Sequence, residues 1–161
     1  MQYATFYVDG SMYGIPILTV REISRFFTIT PVQGADERIE GLLNLRGQIV
    51  TVLNLGRCID TTPVPLSTES RIIILKDEDE LSQEAMDRDI HTSLDTLALL
   101  VDGIGDVVTA GDDDVEPAPP HLSSSYVSGV IKHGGDLLTL LSTEWICSIE
   151  SSEDKMAAND Q

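Results

Sequence analysis

The sequence predicts an all-β fold built from two copies of one small unit. Strand-like apolar runs are short and separated by glycine turns, with almost no long helical period. The stretch Gly41–Leu55 is apolar and β-rich on both sides of a polar step, Arg46-Gly47-Gln48, as in a hairpin whose two arms are buried. That pattern returns 88 residues later: Gly129–Leu141 lies on Gly41–Leu53 without a gap. Gly41/Gly129, Gly47/Gly135, Thr51/Thr139 and Leu53/Leu141 are identical, and five further positions are apolar in both copies. The lead-in repeats as well, Val20-Arg21-Glu22-Ile23 resembling Ile104-Gly105-Asp106-Val107 at an offset of 84. The spacing is too long for a solenoid. Arg46 has no counterpart, because Gly134 takes its place. Arg46 is therefore a candidate for what distinguishes the copies in function.

Taken in order, Tyr3–Val8 reads as a strand, Asp9-Gly10 as a turn and Met12–Ile17 as a second strand. Pro16 belongs at a strand end or edge, since it cannot donate to a ladder. Ile17–Val20 allows one helical turn, Arg21–Ile29 is extended, and Asp36–Ile39 allows a turn capped by Asp36. The first hairpin follows, then a short helical or irregular Gly56–Asp60 and a proline-bearing loop over 61–68. Arg71–Leu75 and Leu97–Val101 are buried strands. Between them, residues 77–96 hold eight acids against one base, Arg88. Leu81, Ala85, Met86, Ile90 and Leu94 allow a weak helix there, but a mobile, solvated loop is the expectation. Ile104–Thr109 is extended and Gly111–His121 irregular. Tyr126–Lys132 and Asp136–Leu141 form the second hairpin, and Ser142 caps a final helix to about Ser148. Residues 150–161 read as a disordered acidic tail. The expected organisation is a first barrel over roughly 1–76, an acidic loop over 77–96 and a second barrel over 97–149.

The net charge of −17 argues against nucleic acid, whose phosphates need basic surface. The charge is uneven. Residues 102–116 carry six acids and no base, whereas residues 41–76 carry Arg46, Arg57, Arg71 and Lys76 against Asp60 and Glu69. A locally basic first copy favours an acidic or amphipathic protein partner. No apolar run approaches a bilayer span, and the first residues lack a signal-peptide core, so a cytoplasmic protein is expected.

Catalytic patterns are missing. His91, His121 and His133 stand in no recognisable triad, and P-loop, GxGxxG, HExxH and CxxC motifs are absent. Cys58 and Cys147 read as small buried residues rather than a disulfide. Asp77–Glu80 and Asp112–Asp114 lack the spacing of an EF-hand, so a solvated charge run is expected over a Ca²⁺ site, and neither metal nor cofactor is expected. Glu22, set between apolar positions, is either a surface carboxylate on an edge strand or the partner of Arg46. The pairing predicts a partly buried contact within about 4 Å, with a stability effect of up to roughly 3–5 kcal/mol if burial is deep.

Val20-x-Glu22-Ile23, Gly41-x-x-Asn44-Leu45-Arg46-Gly47-x-Ile49-Val50-x-Val52, Leu100-Val101-Asp102-Gly103-Ile104-x-Asp106-Val107, Gly129 and Leu140-Leu141 together resemble the CheW family of chemotaxis coupling proteins. The likeness runs from about Phe6 to Ile149 in the right order. Ala98, Asn54-Leu55-Gly56, Ser142 and the long acidic 77–96 depart from the family pattern.

The resemblance implies two SH3-like barrels of about five strands each, a groove between them and no catalytic activity. It implies an adaptor between the cytoplasmic tip of methyl-accepting chemoreceptors and the regulatory domain of the histidine kinase CheA, recruited to membrane arrays that can include other CheW-like domains. An adaptor of another array, such as one serving pili, is the alternative, with an ion-binding module behind it. Carried over by position, Val20, Ile23, Gly41, Arg46, Gly47 and Gly129 are receptor- and kinase-coupling candidates. For the three glycines a purely backbone role is an equal alternative.

Overall fold

A computed structural model describes residues 1–25, 27–120 and 126–149. The chain forms strands β1 (Gln2–Val8), β2 (Ser11–Pro16), β3 (Val20–Ser24), β4 (Ile29–Thr30), β5 (Ile39–Leu45) and β6 (Gln48–Asn54), then helix α1 (Leu55–Cys58) and β7 (Arg71–Leu75). Helix α2 (Gln83–Asp87), β8 (Leu97–Val101), β9 (Gly103–Ile104), β10 (Val108–Thr109), β11 (Val115–Glu116), β12 (Val127–His133) and β13 (Asp136–Leu141) follow, and helix α3 covers 143–149. Single 3-10 turns sit at Ile17–Thr19, Glu78–Glu80 and Asp112–Asp114.

The strands form two sheets. The first runs β3-β7-β8-β6-β5-β4, and the second runs β10-β1-β2-β13-β12-β11 with β9 also on β1. Among the described residues neither sheet closes through its backbone, so each SH3-like unit is an open, curled path rather than a sealed barrel. The two hairpins are equivalent. Gly41 pairs with Val52 and Gly129 with Leu140, each beside a bulge. Both turns have two central residues at positive φ, Arg46 (52°) with Gly47 (89°) and Gly134 (57°) with Gly135 (87°), the type I′ geometry that matches strand twist.

The expected division into 1–76 and 97–149 does not coincide with the sheets. β1 and β2 belong to the second sheet, through the parallel pair β2–β13. β8 belongs to the first, through the parallel pair β6–β8. The physical reason is that a parallel neighbour cannot arrive by a tight turn. Each hairpin takes its parallel neighbour from another antiparallel pair: β7–β8 in the first sheet, β1–β2 in the second.

The main core is shared. Phe6, Val8 and Ile15 pack with Val52, Leu53, Ile73, Leu99, Leu100 and the α3 residues Ile146 and Cys147. All five residues of β8 are buried, which is why its sequence is unbroken apolar rather than alternating. A smaller cluster of Tyr3, Val108, Ala110, Ile131, Leu138 and Leu140 fills the second sheet. Cys58 and Cys147 are both buried, and burial pushes the Cys58 thiol up to about 12.

Residues 77–96 are not a solvated loop. Asp77 and Glu80 form a capping box, Ser82 caps α2, and Leu81 and Ala85 are buried. Hydrogen bonds between residues far apart in sequence hold the segment, so the weak apolar period gave no sign of its order. The expected tail, 150–161, lies outside the described residues.

Candidate functional site

The candidate edge is built where β3 passes the β5–β6 turn. Arg46 takes the left-handed conformation that its turn demands, and the Gly47 N–H donates to Asn44 Oδ1 at 2.9 Å. That geometry turns the Arg46 side chain back to β3, where Nη2 donates to Glu22 Oε2 at 2.8 Å. The hydrogen bond holds the guanidinium more firmly charged than usual. The expected contact within about 4 Å is present, with Glu22 partly buried at 34% exposure, but Arg46, expected partly buried too, remains 70% exposed. An exposed pair is screened by water and contributes little to folding.

Arg21, at the bulge in β3, makes a second connection. Its Nη1 donates to Gln48 Oε1 at 3.1 Å and its Nη2 to Thr96 Oγ1 at 3.1 Å. Gln48 Nε2 donates to the same Thr96 hydroxyl at 2.8 Å. Glu80 is bonded directly to Arg21, and Asp77 lies 3.8 Å away. Partial burial pushes Glu80 up, but its hydrogen bonds to Arg21 and Asp77 outweigh this and hold its carboxyl below the ordinary value. Asp77 is raised, first by burial and then by the Glu80 charge. The first sheet is thus bridged from β3 to its hairpin by side chains, where its backbone leaves an opening.

Of the six coupling candidates, four gather here. Val20 is half-buried against the main core, Ile23 is 45% exposed, and Arg46 and Gly47 form the turn. Gly41 and Gly129 do not join them. Both are buried beneath an edge strand. A Cβ on Gly41 would stand 2.3 Å from the Thr30 carbonyl oxygen, and one on Gly129 would stand 2.7 Å from Val115 Cγ1. Their visible role is to admit β4 and β11.

Sequence reasoning missed Arg21, Gln48, Glu80 and Thr96. Only the position of Arg21 next to Glu22 could have drawn attention to them. It also missed a paired exposure of apolar side chains. Ile49 and its counterpart Leu137 are 61% and 60% exposed, and Ile23 and its counterpart Val107 are 45% and 50%. Each unit therefore leaves apolar surface open at equivalent places.

Among the described residues no group of three or more His, Cys, Asp or Glu is placed to hold a metal. The acidic runs are engaged internally instead: Asp77 and Glu80 with each other and Arg21, and Asp114 with the Gly111 N–H. No described helix is long and apolar enough to cross a membrane. What the edge offers chemically is one exposed guanidinium, that of Arg46, held by a carboxylate beside open apolar side chains, a surface suited to protein contact.

The family model for the CheW-like domain matches residues 2–150. The chain belongs to the CheW-like family. Among its relatives, the chemotaxis protein CheW of Treponema pallidum is 26% identical over 147 residues, covering 87% of this chain and 78% of that protein. The CheW of Bacillus subtilis is 26% identical over 151 residues, covering 92% and 87%. The crystal structure of the scaffolding protein TtCheW from Thermoanaerobacter tengcongensis superposes with a TM-score of 0.72 at 25% identity, covering 87% of each chain. The CheW-like match spans both sheets, including the strands exchanged between the two halves of the sequence.

Proposed function

We propose that this chain is a non-catalytic coupling adaptor of bacterial chemotaxis. It joins the cytoplasmic tip of methyl-accepting chemoreceptors to the regulatory domain of the histidine kinase CheA, in the cytoplasm and at membrane-associated arrays. The observation that carries the reading is the CheW-like match over residues 2–150, which takes in the whole edge where Arg46 meets Glu22. The names of its relatives, chemotaxis proteins CheW and a scaffolding protein, support the same role.

In this reading Val20, Ile23, Arg46 and Gly47 form the coupling edge. The apolar side chains receive the apolar face of a receptor helix, and the Arg46 guanidinium fixes its register against acidic groups. Gly41 and Gly129 enter through the backbone, by keeping the hairpins seated. Equivalent surfaces on the two units allow contacts with other CheW-like domains.

Co-sedimentation with receptor-containing membranes tests the edge. Ile23→Asp and Val20→Asp are both expected to abolish binding. Ile23 is the cleaner probe, because Val20 packs partly on the main core. A folded Ile23→Asp protein, checked by circular dichroism, that sediments like wild type would remove the edge from the interface. Pull-down with the CheA regulatory domain supplies the second partner.

A further inference from the structure

The acidic segment 77–96 lies between β7 and β8, yet its contacts are not confined to the first sheet. At one end Glu80 and Asp77 engage Arg21 of β3. At the other end Thr96 accepts from Arg21 and Gln48, and between the ends, at Arg88–His91, the segment is anchored to elements of the second unit. Thr143 Oγ1, at the start of α3, donates to the His91 carbonyl at 3.1 Å. Arg88 Nη1 reaches Asp112 at 3.5 Å, in the turn before β11. Asp89, Ile90 and His91 also wall a cavity of about 290 Å³ whose other side includes Tyr3, Val115, Ser128 and Leu140.

A lock joins the first of these anchor points to the middle one. The His91 ring sits between two carboxylates, with Nδ1 3.0 Å from Glu78 and Nε2 2.7 Å from Asp89. Both ring nitrogens face acceptors, so the imidazolium, which donates from both, is the form that fits. The Thr92 N–H donates to the other Glu78 oxygen at 2.7 Å, and the Glu78 N–H donates to the Ser93 carbonyl at 2.8 Å. Glu78 stands two residues from Glu80, and His91 carries the bond to Thr143. The segment is therefore tied across its own width, fastened at both ends to the first unit and in its middle to the second.

We infer that residues 77–96 are a strap, anchored on the second unit, that positions the coupling edge of the first. Glu80 acts through Arg21, which holds Gln48, which adjoins the Arg46–Gly47 turn. Glu80 and Thr143 are thus positioning residues: neither faces the partner, and each sets the edge that does. The part of this inference that concerns partners rests on the coupling reading above. The mechanical part stands apart from it.

The test compares Glu80→Gln and Thr143→Val in the full chain. Glu80→Gln keeps an oxygen for the Asp77 N–H but removes the charge from Arg21. Thr143→Val keeps shape and removes the donor to His91. Both variants are expected to melt within about 3 °C of wild type. In both, ¹⁵N relaxation is expected to show greater mobility of the Gln48 side-chain amide and the Gly47 backbone amide. Affinity for the CheA regulatory domain or receptor-containing membranes is expected to fall at least about threefold in both. Unchanged relaxation at Gln48 and Gly47 in Thr143→Val overturns the strap, even if Glu80→Gln moves them. Altered relaxation with wild-type affinity overturns the positioning role. If the wild-type chain binds neither partner, the coupling reading fails, and relaxation still decides whether the strap exists.

Discussion

Arg46 reaches Glu22 at 2.8 Å while most of its side chain remains in water. The contact joins a hairpin turn to a strand that is no backbone neighbour of it. Its value is geometric: it fixes where one positive charge stands on an otherwise acidic protein. Arg46→Gly is the informative variant, because glycine accepts the turn's positive φ and already stands at the equivalent Gly134. The melting temperature is expected to move by no more than about 3 °C, while receptor co-sedimentation drops. A large thermal loss would give the pair a folding role that its exposure contradicts.

Gly41→Ala and Gly129→Ala separate backbone clash from side-chain crowding. The added methyl on Gly41 meets a backbone carbonyl at 2.3 Å, which moves only with β4. At Gly129 the nearest atom is Val115 Cγ1, at 2.7 Å, which has a rotamer to change. Urea unfolding is expected to show losses of about 3 kcal/mol for Gly41→Ala and about 1–2 kcal/mol for Gly129→Ala. The reverse order would refute the close-approach argument.

His91 gives a pH prediction. The hydrogen bond to Glu78, then that to Asp89, raises its pKa to about 9. The folded value lies above the unfolded one, about 6.5, so its stabilising contribution is full below about 6.5 and is lost as pH rises through about 9. Ring-proton NMR should give a midpoint near 9, and Glu78→Gln should lower it by at least about one unit. A wild-type midpoint near the ordinary value would mean that the clamp does not form in solution.

Asn54 is fully inside and bonds Val64 from both ends of its amide. Its Nδ2 donates to the Val64 carbonyl at 3.0 Å, and its Oδ1 accepts from the Val64 N–H at 2.9 Å. Asn54→Leu leaves two backbone groups unpaired in the interior. A loss of about 2–3 kcal/mol in chemical denaturation is expected. A neutral result would show that water or a shifted loop satisfies Val64.

The hairpins were legible because their information is local. Gly47 and Gly135, with apolar residues on both arms, specify turn and burial within a few positions, and the repeat confirms each copy by the other. Arg46 and Glu22 were legible as two charges in apolar surroundings. Their exposure was not, because it depends on how far β3 stands from the turn. The union of β2 with β13 left no mark, since a parallel neighbour from the other end of the chain carries no sequence period. The order in 77–96 was hidden for a related reason. It rests on Glu80 with Arg21, Glu78 with His91 and His91 with Thr143, and no window of helical or strand period contains such pairs.

The parallel pair β2–β13 also bears on how the molecule is made. Tyr13 and Gly14 leave the ribosome early and must wait for Thr139 and Leu140, in the last of the described strands to emerge. The first sheet has no such delay: β3 to β8 follow one another, and β8 completes them by Val101. Synthesis should thus produce an ordered first sheet carrying an unpaired β1–β2 ribbon, whose open edge is a place for a nascent chain to pair wrongly. Pulse-labelled hydrogen exchange on stalled chains ending near residue 130 reads this order. The hypothesis requires protected amides in β7 and β8 while β2 still exchanges freely, and equal protection would refute it.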